Sequence, residues 1–156
     1  MSILITKNGG EMSSVNFIRL LKTMLTDGIV DGCSITKSGT TVNIGAGHLI
    51  AGGAYIEIGN ASINISYSGE LIVRVDTSSD TPAEMMIRPA QALTQQDLAN
   101  GGTVYELQLA TFTYSSGSLT ALNVTVGKST ANSGNENIYV QSAQPSSPNT
   151  GDLWFW

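Results

Sequence analysis

Charge is what this sequence has least of. Asp, Glu, Lys and Arg make up 12% of its 156 residues, about half the roughly 25% of an average soluble domain. Seven are basic and twelve acidic, for a net charge of −5. The seven are scattered from Lys7 to Lys128; no cluster could neutralise a phosphate backbone, and nucleic acid is excluded as a partner. The single cysteine, Cys33, rules out an internal disulfide. Lying after Gly32 and before an alternating stretch, it reads as a buried strand thiol rather than a nucleophile. The single histidine, His48, rules out a metal site built on paired histidines or a Glu-x-x-His motif. No apolar run approaches the ~18 residues of a membrane span, so no membrane insertion is expected. The opening "MSILITKNGG" lacks the basic start and long apolar core of a signal peptide. Synthesis in a cytoplasm is expected, with any departure by another route.

Ser, Thr, Asn and Gln take the place of the missing charge, as in "SITKSGTT" and "NASINISYSG", while hydrophobic content is 41%. A surface of hydroxyls and amides suits wide protein contacts or carbohydrate. Seventeen glycines and short β-branched runs favour strands and turns over helices.

One helix is predicted, over 13–26. Ser13 or Ser14 is the cap, and Val15, Ile18, Leu21 or Lys22, and Leu25 recur at helical spacing. Phe17 and Met24 widen the stripe, and Asp27–Gly28 ends it. Strands are predicted at 32–37, 41–44, 48–51, 54–58, 61–67 and 71–77, separated by glycine turns. A weaker strand over "EMMIRP" follows, then one helical turn capped by Thr94, then strands at 104–114 and 119–126. This spacing predicts a mainly β fold: an antiparallel β-sandwich or barrel-like domain with one N-terminal α-helix and an extended C-terminal tail. The expected organisation is an arm and helix over 1–27, a β domain over 28–126, and a linker and tail over 127–156. "GKSTANSGNEN" is a flexible linker by composition.

The catalytic inventory is thin, and the chain is expected not to be an enzyme and to need no cofactor. The glycines of "GAGHLIAGG" lack the spacing that cradles a phosphate. A Cys33–His48 pair would have no orienting third residue and no oxyanion hole. Glu57, Glu70, Asp76, Glu84 and Glu106 lie in or beside strands, where a solvated outer face accounts for them; a hydrolase would need two of them across a cleft. "DTSSD" reads as a polar turn rather than a calcium loop.

Two features point to assembly. Phe17, Ile18, Leu21 and Leu25 would either cap the β domain or pack against copies of the same helix. The chain also ends in "LWFW": Leu153, Trp154, Phe155 and Trp156. Four large apolar side chains in water would be sticky, and burying each is worth about 1.5–3 kcal/mol. The tail is therefore expected to dock on its own domain or on another subunit.

The stretch "DGIVDGCSITKSGTTVNIGAGHLIAGGAYIEI" resembles a segment common in structural proteins of phage and prophage tails. Gly32, Cys33, Ile35, Thr36, Ser38, Gly39, Thr41, Val42, Ile44, Gly47, Ile50, Gly52 and Ile56–Glu57–Ile58 carry the resemblance. Ala54 stands where that pattern often has an arginine. "QPSSPNTGDLWFW" is similar to the ends and junctions of tail and baseplate proteins. The resemblance covers about 28–58 and 144–156. It implies a baseplate or tail-fibre component of a virion or phage-tail-like particle, made in the bacterial cytoplasm, homotrimeric, and bound to other tail proteins. It also implies an anchoring role for Trp154 and Trp156. The alternative is a receptor-binding module that recognises a host cell-surface saccharide, with Tyr55, Tyr67, Tyr105 and Tyr114 as the aromatic contacts.

Overall fold

The computed structural model describes residues 13–132, 138–140 and 153–155. Among the described residues the fold is mainly β, with three antiparallel sheets and one helix near the N-terminus. Helix α1 spans Ser14–Met24, and the Ser13 hydroxyl accepts the Asn16 N–H at 3.3 Å as its N-cap. It does not run on to the Asp27–Gly28 stop expected from sequence. Leu25 is already extended, because it bridges to Ala131 while the Thr26 N–H donates to Thr130 O. Gly28 serves a close approach instead: at φ +145°, a Cβ there would lie 2.6 Å from Gly127 O.

Six short strands follow: β1 (Gly28–Gly32), β2 (Ile35–Ser38), β3 (Thr41–Ile44), β4 (Gly47–Ala51), β5 (Ala54–Ile58) and β6 (Ala61–Asn64). They form two sheets, β1-β4-β5 and β2-β3-β6, but the register runs unbroken from one to the other. Gly32 faces Gly47 and Ile35 faces Ile44; Gly47 faces Ile58 and Ile44 faces Ala61. The two sheets are thus one three-stranded meander, each long strand interrupted near its middle. The strand expected over 32–37 is broken at Cys33, where Gly32 and Cys33 both take left-handed φ, +56° and +52°. Backbone crowding explains Gly32, whose Cβ would lie 2.1 Å from Ala46 O. Cys33 is buried as expected, but at this break and not within a strand.

The second layer is one sheet in the order β10-β9-β7-β8, built from β7 (Gly69–Asp76), β8 (Ala83–Arg88), β9 (Val104–Ser115) and β10 (Ser118–Val124). Leu71, Val73 and Val75 of β7 point into a core shared with Val42, Ile44, Leu49, Ile56 and Ile58 of the meander. In β9 the register shifts at Leu109, so Leu109 and Ala110 are both buried. This bulge lets Tyr105 and Leu107 on one side of it, and Phe112 and Tyr114 on the other, all pack on the core.

Residues 89–103 connect β8 to β9. The helical turn expected there with Thr94 as cap is replaced by a crossing segment whose Gln95 bridges to Tyr105. Its one turn, near Asn100, is capped by Asp97, which accepts the Ala99 N–H at 3.1 Å. Residues 127–132, expected to begin a flexible linker, are bonded along β1 and the helix end before it: the Ile29 N–H donates to Gly127 O, the Ser129 N–H to Ile29 O and the Asn132 N–H to Met24 O. Beyond them, β11 (Ile138–Val140) and β12 (Leu153–Phe155) pair in parallel, Tyr139 opposite Trp154. Trp156 and the turn before Leu153 lie outside the described residues.

Candidate interaction surface

Glycines bring the helix onto the meander. A Cβ on Gly53 would lie 2.4 Å from Ile18 O, and one on Gly52 would lie 2.6 Å from the Tyr105 ring. Asp27, just past the helix, ties the arrangement: its carboxylate accepts the Gly52 N–H at 2.8 Å and the Tyr105 hydroxyl at 2.6 Å. Burial, then the hydrogen bond to Asp27 and its charge, push the Tyr105 phenol well above its ordinary range. Two cations fix the helix to the crossing segment. Arg19 Nη2 donates to Ala99 O at 2.6 Å, and Lys22 Nζ meets Asp97 Oδ1 at 2.8 Å. Bonded to Lys22, Asn100 and the Ala99 N–H, the Asp97 carboxyl is lowered to about 2.

This docking splits the four helix residues expected to act together. Ile18 is buried, Leu21 and Leu25 are half-buried, and Phe17 is 42% exposed. Phe17, Leu20 and Met24 follow one another at i, i+3 and i+7, a second stripe beside the buried one. Leu20, 42% exposed, is the member the sequence reading missed. Its helical position carried the signal.

Beside the stripe runs an apolar groove of about 390 Å³ lined by Phe17, Ile18, Tyr55, Ile56, Val75 and Pro82. It continues, through Ile56 and Ala83, into a groove of about 300 Å³ between β5 and β8. Among the described residues, neither strand has a partner on its outer edge here. The opposite seam is held: Lys37 Nζ of β2 donates to Leu119 O and Thr120 O of β10, at 3.0 and 3.2 Å.

The four tyrosines are not brought together. Tyr55 is 48% exposed on β5 and stacks on His48, ring centroids 5.2 Å apart. Tyr67, before β7, donates its hydroxyl to Ile87 O at 3.3 Å. Tyr105 is engaged by Asp27 under the helix. Tyr114, half-buried on the core, sits near the far end of β9, about 30 Å along the strand from Tyr105. A separate groove of about 360 Å³ is lined by Ser34, Thr36, Asn43, Asn60 and Ser62 together with Ile44 and Ala61.

His48 has Asp31, not Cys33, as its partner: Nδ1 lies 2.8 Å from Asp31 Oδ1, which also accepts the His48 N–H. Cys33 is turned into the core, and burial, with the Asp31 charge second, raises its thiol pKa. Among the described residues no group of three or more His, Cys, Asp or Glu is placed to hold a metal.

The carboxylates hold the largest departure from the sequence reading. Glu57 and Glu84 are solvated, but Glu70 and Glu106 are each only 1% exposed. Both lie on the outer face of the four-stranded sheet, and segment 89–103 crosses over that face. Arg88 bridges them, with Nε on Glu70 Oε1 at 2.8 Å and its two Nη on Glu106 at 3.0 and 3.1 Å. Arg74 adds a bond to Glu106 at 2.9 Å, and Gln108 one to Glu70 at 2.6 Å. From above, the Thr94 and Gln91 N–H groups donate to Glu106 and Glu70. Burial alone would raise both carboxyls. The hydrogen bonds outweigh it, from Arg88 first at Glu70 and from the Thr94 N–H first at Glu106, and both sit below their ordinary range. Two arginines and two carboxylates, mutually bonded, with the carboxylates closed from water and the Arg74 side chain 32% exposed, form a clasp for the crossing segment rather than a cleft. The alternation of β7 places Glu70 and Arg74 on one face, but only the covering segment makes that face interior.

No protein-family model matches this chain, and no curated protein matches it.

Proposed function

We infer that this chain is a non-enzymatic structural protein of a phage-type tail, a baseplate or tail-fibre adaptor that assembles with copies of itself and with neighbouring tail proteins in the virion. The observation that carries this reading is the Phe17–Leu20–Met24 stripe. It is an apolar row at helical spacing, two of its residues 42% exposed, on a helix anchored from its other side by Arg19 and Lys22. Such a row is buried when helices of neighbouring subunits pack together. The low charge and the resemblance of residues 28–58 and 144–156 to tail proteins support it further. The C-terminal Leu153, Trp154, Phe155 and Trp156 supply a second joint. The test is solution mass by light scattering, for the full chain, a chain ending at Asp152, and Leu20→Asp. A trimer that Leu20→Asp reduces to monomer is the expected result. A trimer lost only on truncation moves the joint to the tail, and a monomeric full chain rejects self-assembly.

A second reading, recognition of a host cell-surface saccharide, is favoured by the hydroxyl- and amide-lined groove at Ser34, Asn43 and Asn60 and by the exposed Tyr55 ring. Glycan-array binding lost in Asn43→Ala or Tyr55→Ala would support it. Binding unchanged in both would remove it.

A further inference from the structure

We propose that the open seam between β5 and β8 receives the chain's own N-terminal segment, residues 2–7, as an added β-strand. This goes beyond the assembly reading and does not depend on it. The seam has what strand addition requires: edges without a partner among the described residues, and an apolar floor between them. Ile56, Ile58, Val73, Ala83 and Met85 supply that floor. β5 is five residues long and β8 six, so a strand of about 20 Å fits alongside.

Residues 2–7 read "SILITK". They are six in number, β-branched at Ile3, Ile5 and Thr6, with Ile3 and Ile5 falling on one face of a strand. Their place in the chain suits the seam. Ser14, at the start of α1, lines the groove's helix end, and residues 8–12 between Lys7 and Ser13 can span up to about 17 Å. Those connecting residues include Asn8–Gly9–Gly10, a sequence that turns readily. Charge agrees as well. Glu57 and Glu84 rim the seam, and the one charged residue of the segment is Lys7. The other apolar end of the chain, 138–156, carries only Asp152 and would be repelled by that rim.

Two measurements on the full chain test the proposal. Hydrogen exchange should show the β8 amides that do not bond to β7 protected in the native sequence. In Ile3→Asp/Ile5→Asp they should exchange at least about tenfold faster, with β7 and β9 unchanged. Free exchange at that edge in the native chain, or protection that survives the double substitution, would overturn the placement. So would protection lost in Trp154→Asp instead, which would give the seam to the tail. The second measurement does not depend on disrupting anything. Ile5→Cys/Met85→Cys should form a disulfide within one chain on mild oxidation, with buried Cys33 left free. A disulfide between chains would overturn the own-chain placement in favour of exchange between copies, and no disulfide would overturn the seam as the site.

Discussion

The two seams where the layers meet make the most instructive comparison in the molecule. At one, β2 and β10 are joined by Lys37, whose ammonium caps two backbone carbonyls. The neighbouring faces are closed in the same way: residues 127–132 along β1, and residues 89–103 across Glu70 and Glu106. At the other seam, β5 and β8 face each other across an apolar groove, and the helix beside it exposes Phe17 and Leu20. Polar bonds that are complete within one chain stabilise the fold, whereas uncovered apolar surface with open strand edges is where, on the readings proposed above, another segment or subunit would attach.

Substitutions should separate the two sides, and the largest effect belongs to the clasp. Glu106→Ala leaves Arg88 and Arg74 without their shared carboxylate beneath the crossing segment, and should cost about 3–5 kcal/mol in chemical denaturation. A cost under about 1 kcal/mol would mean the clasp is not holding the closed side.

Acid should weaken the same side. Glu70, Glu106 and Asp97 all have folded pKa values below their ordinary ones, 4.5 for the glutamates and 3.8 for the aspartate. The stability they contribute is complete above those values and is lost as pH falls below them, for Asp97 between about 4 and about 2. Urea midpoints across this range should fall steadily, and a flat profile would contradict the assignment.

Tyr105→Phe removes the hydroxyl that bonds Asp27 beneath the helix. A lost hydrogen bond to a charged group predicts about 1.5–3 kcal/mol, read as a lower melting temperature. Lys37→Met deletes only the bridge of the closed seam and should cost about 0.5–1.5 kcal/mol. At the open side, Phe17→Ser/Leu20→Ser should change monomer stability least, by about 0.5 kcal/mol or less per residue.

Much of this architecture was legible in the sequence, because it rests on local rules. The helix start follows from Ser13, and the strand positions follow from alternation between glycine turns. The breaks were harder to see. Cys33 takes a left-handed φ that its side chain gives no reason to expect, and Leu25 leaves the helix because Ala131, 106 residues later, bridges to it. The clasp was hidden for a similar reason. Glu70 and Glu106 look like solvated strand residues until segment 89–103 covers their face. Of the expected surface residues, Phe17 lies where the helical period put it, but Tyr105 and Tyr114 face the core, since a period of two cannot foresee the bulge at Leu109.

The central claim is that the open side serves assembly and the closed side serves the fold. The most direct test measures both properties on one protein: solution mass and denaturation midpoint of Phe17→Ser/Leu20→Ser beside the native chain. The account predicts a native oligomer, a monomeric variant, and a midpoint nearly unchanged when both are compared as monomers at high dilution. A variant that keeps the native mass, or that loses mass only by unfolding, would contradict it.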